Sequence, residues 1–309
     1  MTDRVAAIDC GTNSIRLLIA ETGPDGGLHE LDRRTEIVRL GQGVDATGEL
    51  HPDALARTFA AVDGYAEAIT TAGVGPERIR FVATSATRDV RNRDAFAAGI
   101  VRRLGVGPDV ISGDTEARLS FRGALTGAPS DAEPVLVMDI GGGSTELIVG
   151  DREHGVHAAV SLDMGSVRVT ERFWTADPPT ADDLARATAF VDGLLDRSPV
   201  DLNPVRSWIG VAGTATTLAG VALGLPAYDR SLVHGARISR DQLTGLFDRL
   251  RVSTADQIRT LPSMHPGRAD VITAGTLIAT RVAARVDADA LLVSESDILD
   301  GIALELLGR

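Results

Sequence analysis

The sequence predicts an α/β protein organised as two similar domains, and three observations carry that expectation. A strand–turn–strand motif occurs twice, around Asp9 and again around Asp139. Apolar β-type runs alternate with segments of helical periodicity. The 309 residues are enough chain for two domains that each own a core.

The duplication is read directly. Residues 5–21 are VAAIDCGTNSIRLLIAE and residues 134–151 are PVLVMDIGGGSTELIVGD. Laid together, Asp9, Gly11, Ser14 and Leu17 fall on Asp139, Gly141, Ser144 and Leu147. Each copy is an apolar strand ending in Asp, a tight turn and a second strand, followed by a further turn and another strand. Between and after the copies, helices are expected at 53–72, 92–104, 268–285 and 297–307. Thr180 with Asp183, and Ser239 with Gln242, have capping-box spacing and open two more. Strands are expected at 79–84 and 206–212. The small polar segment 126–134 (TGAPSDAEP) separates a domain at 1–125 from one at 126–296.

Glycines let backbone N–H groups face an anion closely, so the two turns are candidate phosphate loops. The candidates are Gly11, Thr12, Asn13, Ser14 and Arg16 in the first copy. In the second they are Gly141, Gly142, Gly143, Ser144 and Thr145. Asp9 and Asp139, at the strand ends, are candidate ligands for Mg²⁺, with Mn²⁺ as a substitute. A third Gly-Thr turn, at Gly213-Thr214 within VAGTATTLAG, marks a strand running into a helix and a further phosphate contact.

Composition narrows the chemistry. Formal charge is −12 and aromatics make up 4% of residues, which argues against nucleic-acid or membrane-surface binding. All 31 basic residues are arginine. The lysine of a Walker-type loop and of Schiff-base catalysis is therefore missing, and phosphate must be held by backbone, hydroxyls and arginine. No run reaches the roughly eighteen apolar residues of a membrane helix. The single Cys10 fits a reducing compartment, and with no signal peptide in view a cytoplasmic location is expected. The six histidines show no His-x-x-x-His spacing, so no histidine metal site is expected.

With DCGTNSIRLLI, ATSATRDVRN (83–92), SGDTEARL (112–119), DIGGGSTELIVG and VAGTATTLAG on the page, the chain resembles the exopolyphosphatase/guanosine pentaphosphate phosphatase family of the actin-like superfamily. The resemblance covers nearly the whole chain. It implies two RNase H-like domains with the active site in the cleft between them, a final helix (297–309) packed back on the first domain, and a homodimer. It also implies a substrate: inorganic polyphosphate, with guanosine pentaphosphate as the alternative. Longer relatives carry extra helical domains that grip long chains, so short polyphosphates are expected here. A Gly-Leu-Arg-Glu-Gly type motif of relatives is matched by Ser294–Gly301 without its arginine.

Role assignments follow from the same resemblance. Glu116 matches the family's general base, and its place near a helix N-terminus favours an ionised carboxylate. Glu146 is a second catalytic candidate. Ser85 and Arg88 match phosphate-clamping positions, and Arg268 resembles another, a task to which the planar guanidinium is suited. Cys10 is expected to be buried rather than nucleophilic. The competing readings are a sugar or acetate kinase on the same fold and a non-catalytic alarmone sensor.

Overall fold

A computed structural model of the chain describes residues 3–24, 26–84, 87, 90–127 and 132–308. The chain divides into two compact units. One runs up to Gly123 and takes back the residues from Ile298 on; the other is Ala124–Asp297.

The first unit begins with β1 (Val5–Cys10), β2 (Ser14–Thr22) and β3 (Leu28–Ile37), an antiparallel meander. A short helix α1 (Val44–Thr47) and the long α2 (Pro52–Thr71) lead to β4 (Ile79–Ala83), which lies parallel to β1. Then come α3 (Arg93–Leu104), β5 (Pro108–Val110) and α4 (Gly113–Gly127). The strand order is β3-β2-β1-β4-β5. Every residue of β1 is buried, as a central strand covered on both faces requires. Its period of two sorts them: Ala6, Ile8 and Cys10 join Val62, Tyr65 and Ile69 of α2 and Phe96, Ile100 and Leu104 of α3. Val5 and Ala7 join Leu119 of α4 and Ile298, Leu299, Ile302 and Ala303 of the final helix α12 (Ile298–Leu306).

The second unit repeats the plan. Strands β6 (Val135–Ile140), β7 (Thr145–Asp151) and β8 (Gly155–Leu162) form the meander. Helices α5 (Ser166–Phe173) and α6 (Ala181–Asp196) precede β9 (Ser207–Val211), which pairs parallel with β6. Next are α7 (Ala212–Ala222), α8 (Arg230–Val233), β10 (Arg237–Ser239), α9 (Arg240–Leu250), α10 (Ala255–Arg259), α11 (Ile272–Ala283) and β11 (Ala290–Val293). The order β8-β7-β6-β9-β11 matches that of the first sheet, with β10 added at the edge.

Local signals explain the boundaries. Both expected capping boxes form: Thr180 accepts from the amide of Asp183, and Ser239 from that of Gln242, with the reciprocal bonds present. Thr254 with Gln257 makes a third box that the sequence reading missed. The helix expected at 268–285 starts only at Ile272, because Pro266–Arg268 forms a separate 3₁₀ turn. Among the described residues no helix is long and apolar enough to cross a membrane.

Candidate functional site

Both duplicated turns close the same way. The amide of Gly11 donates to the carbonyl of Ser14 at 3.0 Å, and that of Gly141 to the carbonyl of Ser144 at 3.0 Å. In the first turn, the amide of Gly41 donates to the Thr12 carbonyl (2.9 Å), and those of Val38 and Arg39 to the Asn13 carbonyl (3.0 and 2.9 Å). In the second, the first amides of α5 do the equivalent job. Ser166 donates to the Gly141 carbonyl at 2.9 Å, and Val167 and Arg168 to the Gly142 carbonyl at 2.9 and 3.0 Å. With its carbonyls drawn back, the second turn presents its amide edge. No hydrogen bond from the amides of Gly142, Gly143 or Ser144 is found among the described residues. An array of this kind suits an anion.

Gly165, not singled out by sequence, holds this turn. A Cβ there would lie 2.2 Å from the carbonyl carbon and oxygen of Gly142 and 2.4 Å from the nitrogen of Gly143. Two of the expected phosphate ligands prove to be internal braces. The fully buried Thr145 hydroxyl donates to the Met164 carbonyl, and the Thr214 hydroxyl donates to the Ile140 carbonyl at 2.8 Å.

The copies differ in charge at one register position. Asp9 is the Cα partner of Arg16 across β1 and β2, and Arg16 donates from Nε (3.1 Å) and Nη2 (2.6 Å) to the buried Asp9 carboxylate. The corresponding partner of Asp139 across β6 and β7 is Glu146. Directly opposed residues of an antiparallel pair project to the same face, so two buried carboxylates stand side by side. Ser161 donates to Glu146 at 2.7 Å. Two adjacent buried carboxylates are a hard-oxygen donor set that fits Mg²⁺ or Mn²⁺. The Asp9 carboxylate, by contrast, already carries a guanidinium.

Glu116 sits in the first turn of α4 and is 7% exposed. Ser112 caps this helix: its Oγ accepts from the amide of Thr115 (3.2 Å) and its carbonyl from the amide of Glu116 (3.0 Å). One turn on, Leu119 anchors the helix in the core, and Gly301 of α12 packs on the Leu119 backbone so closely that a Cβ would come within 2.1 Å of its carbonyl oxygen.

The third glycine turn, between β9 and α7, holds Ala212 at φ 58°, a left-handed conformation that is costly for a residue with a side chain. Arg268 lies over the next residue. A Cβ on Gly213 would fall 1.4 Å from the Arg268 Nη1, so the guanidinium occupies the space that a side chain at 213 would take. Gly213, Thr214 and Arg268 are thus brought together in the second unit, and Thr214 links them to the strand that ends in the glycine loop. Ser85 and Arg88 lie outside the described residues. Cys10 is fully buried, and burial, followed by the neighbouring Asp9, pushes its thiol far above the usual range, which leaves it inert.

The profile of the Ppx/GppA phosphatase family matches residues 18–309. The chain is 48% identical over 319 aligned positions to "Exopolyphosphatase 2" of Mycobacterium tuberculosis, with 99% of each chain covered. Its fold superposes with a TM-score of 0.82 on the Aquifex aeolicus member of the Ppx/GppA family, at 32% identity over 100% of this chain and 99% of that one. On a crystal structure of an exopolyphosphatase from Cytophaga hutchinsonii the TM-score is 0.90, at 26% identity over 99% and 98% of the two chains. The duplicated glycine turns and the matching sheets thus have one source: the chain belongs to the Ppx/GppA phosphatase family.

Proposed function

We propose that this protein is an exopolyphosphatase that releases orthophosphate from the end of short inorganic polyphosphate by direct attack of water. The observation that carries the reading is the second glycine loop. It combines an open amide edge (Gly142–Ser144) with the buried Asp139/Glu146 pair on the adjoining strands, and family membership supports a phosphoanhydride substrate.

Each residue then has a task. The amides of Gly142, Gly143 and Ser144 receive phosphoryl oxygens, and Arg268, seated over Gly213, supplies a fixed positive charge to them. Arg16 holds Asp9 in the first loop, where Gly11, Thr12, Asn13 and Ser14 offer further donors. Glu116 orients the attacking water and accepts its proton, and the capped helix terminus beneath it favours the ionised form. Asp139 and Glu146 would hold Mg²⁺, which would supply positive charge to offset that of the phosphoryl oxygens. Ser85 and Arg88 complete the phosphate contacts in this scheme. The protein acts in the cytoplasm as a homodimer in this reading; the buried free Cys10 supports the reducing compartment, and sedimentation tests the dimer.

The test is orthophosphate release, with and without Mg²⁺, from polyphosphates of defined length and from guanosine pentaphosphate. Wild type should cleave short polyphosphate only with the metal. Glu116→Gln should lower kcat by about 10²–10⁴-fold while polyphosphate binding persists. Cleavage of the nucleotide alone moves the substrate to the second candidate, and binding of either without turnover refutes catalysis.

A further inference from the structure

The hairpin at the far end of β7 carries a constellation that the phosphatase chemistry does not use. Asp151 ends β7, His154 lies in the turn, and His157 is the third residue of β8. One ligand atom from each lies within 4.8 Å of the other two. His157 Nε2 is 2.6 Å from Asp151 Oδ2, and His154 Nδ1 is 3.2 and 3.3 Å from the two carboxylate oxygens. The absence of His-x-x-x-His spacing predicts no histidine metal site, but His154 and His157 stand at His-x-x-His spacing across a hairpin turn. Chain reversal at Gly155 (φ 76°) brings both rings to one carboxylate.

We propose that Asp151, His154 and His157 form a binding site for a borderline transition-metal ion, Zn²⁺ or a chemical neighbour, separate from the Mg²⁺ site of the hydrolytic chemistry. The argument is one of donors and distances. Two imidazole nitrogens and one carboxylate oxygen form a set that selects Zn²⁺, Co²⁺, Ni²⁺ or Cu²⁺ over Mg²⁺, which favours all-oxygen ligands. Tetrahedral Zn²⁺ with bonds of about 2.0–2.1 Å separates its ligand atoms by about 3.3 Å. The His154–Asp151 separations already stand there, and His157 Nε2 lies about 0.7 Å inside that distance from the carboxylate. The carboxylate is held in place for the role: the backbone N–H of His154 donates to its Oδ1 at 2.5 Å. Both imidazoles are exposed, which gives an ion a path in and leaves its remaining positions to water. Glu146 and Asp151 lie five residues apart on β7, about 17 Å at strand rise, so the two sites fill independently.

The site is tested by titrating the full chain with Co²⁺ in excess Mg²⁺, reading the ligand-field absorption and displacing it with Zn²⁺. One equivalent of Co²⁺ should bind and give way to Zn²⁺, with affinity at least about tenfold weaker in His157→Ala and lost in the His154→Ala/His157→Ala double variant. Histidine-detected NMR of the wild type provides a reading independent of any substitution. Of the six rings, those of His154 and His157 should shift with Zn²⁺ and those of His29 and His51 should not. Equal Co²⁺ binding by wild type and double variant, or Zn²⁺ shifts that spare His154 and His157, would overturn the proposal.

Discussion

Gly165→Ala places one methyl group where the second glycine loop has no space for it. The backbone at Gly165 (φ −104°, ψ 167°) is open to any residue, so the substitution acts through contact alone. Its Cβ would stand 2.2 Å from the carbonyl of Gly142, and ordinary contact begins at 3.4 Å, so loop or helix must yield by about 1.2 Å. Backbone on both sides cannot rotate away as a flexible side chain would. The amides of Gly142 and Gly143 are the ones proposed to receive phosphate, and a displacement near 1 Å at a positioning group costs about 10²-fold in rate. We therefore expect kcat/KM for short polyphosphate to fall about 100-fold, or ~2.7 kcal/mol of transition-state stabilisation. The fold should lose about 1–3 kcal/mol from overpacking. Steady-state phosphate release well below the melting temperature, together with thermal melts, separates the two effects. A variant within about threefold of wild type, less than 1 kcal/mol, would refute the claim that this loop must hold its position.

Further substitutions probe other parts of the argument. Glu146→Gln and Asp139→Asn should raise the Mg²⁺ concentration needed for half-maximal activity; if Asp9→Asn alone does so, the metal assignment is wrong. Gly301→Ala should destabilise the protein by about 1–3 kcal/mol in denaturant melts and lower kcat through the helix that carries Glu116, because its Cβ meets the Leu119 carbonyl. Asp183 is shielded by burial, which alone would raise its pKa, yet hydrogen bonds from the backbone and hydroxyls of Thr175 and Thr180 hold its carboxyl well below the usual range. A depressed pKa contributes stability above the unfolded value near ~3.9 and loses it as the pH falls further. Asp183→Asn should accordingly be less stable than wild type at neutral pH, with the gap closing under acid in pH-dependent melts. Cys10 should resist thiol reagents in the native protein and react after unfolding.

The parts of the fold that were legible in the sequence are those set by local rules. The duplicated hairpins follow from Asp and Gly placement, and the boxes at Thr180 and Ser239 follow from residues three apart. The placement of Glu116 in a first helical turn follows from SGDTEARL. Contacts between distant segments were not legible. Gly165 is glycine because the backbone of a loop more than twenty residues earlier presses on it, and the seat of Arg268 over Gly213 joins positions 55 residues apart. The contrast between Asp9 with Arg16 and Asp139 with Glu146 did leave a signal. Once a hairpin is drawn around each turn, positions 9 and 16, and 139 and 146, must face each other. Thr145 and Thr214 look like ligands in a one-dimensional reading because a hydroxyl beside a glycine turn fits either role; only the acceptor carbonyls of Met164 and Ile140 assign them to bracing.

The return of α12 to the first unit has a consequence for the order of events during synthesis. Ile298, Leu299, Ile302 and Ala303 line one face of the sheet that Val5 and Ala7 begin, and Arg33 grips Asp300 across 267 residues of sequence. As the ribosome works from the N-terminus, that face of β1 has only Ile111 and Leu119 to cover it until the whole of the second unit has been made. The second unit, continuous in sequence, can condense first, although it is encoded later. The helix bearing Glu116 gains its backing against Gly301 only at the close of translation, so the nascent protein holds a half-covered apolar sheet face well before that helix is fixed in place.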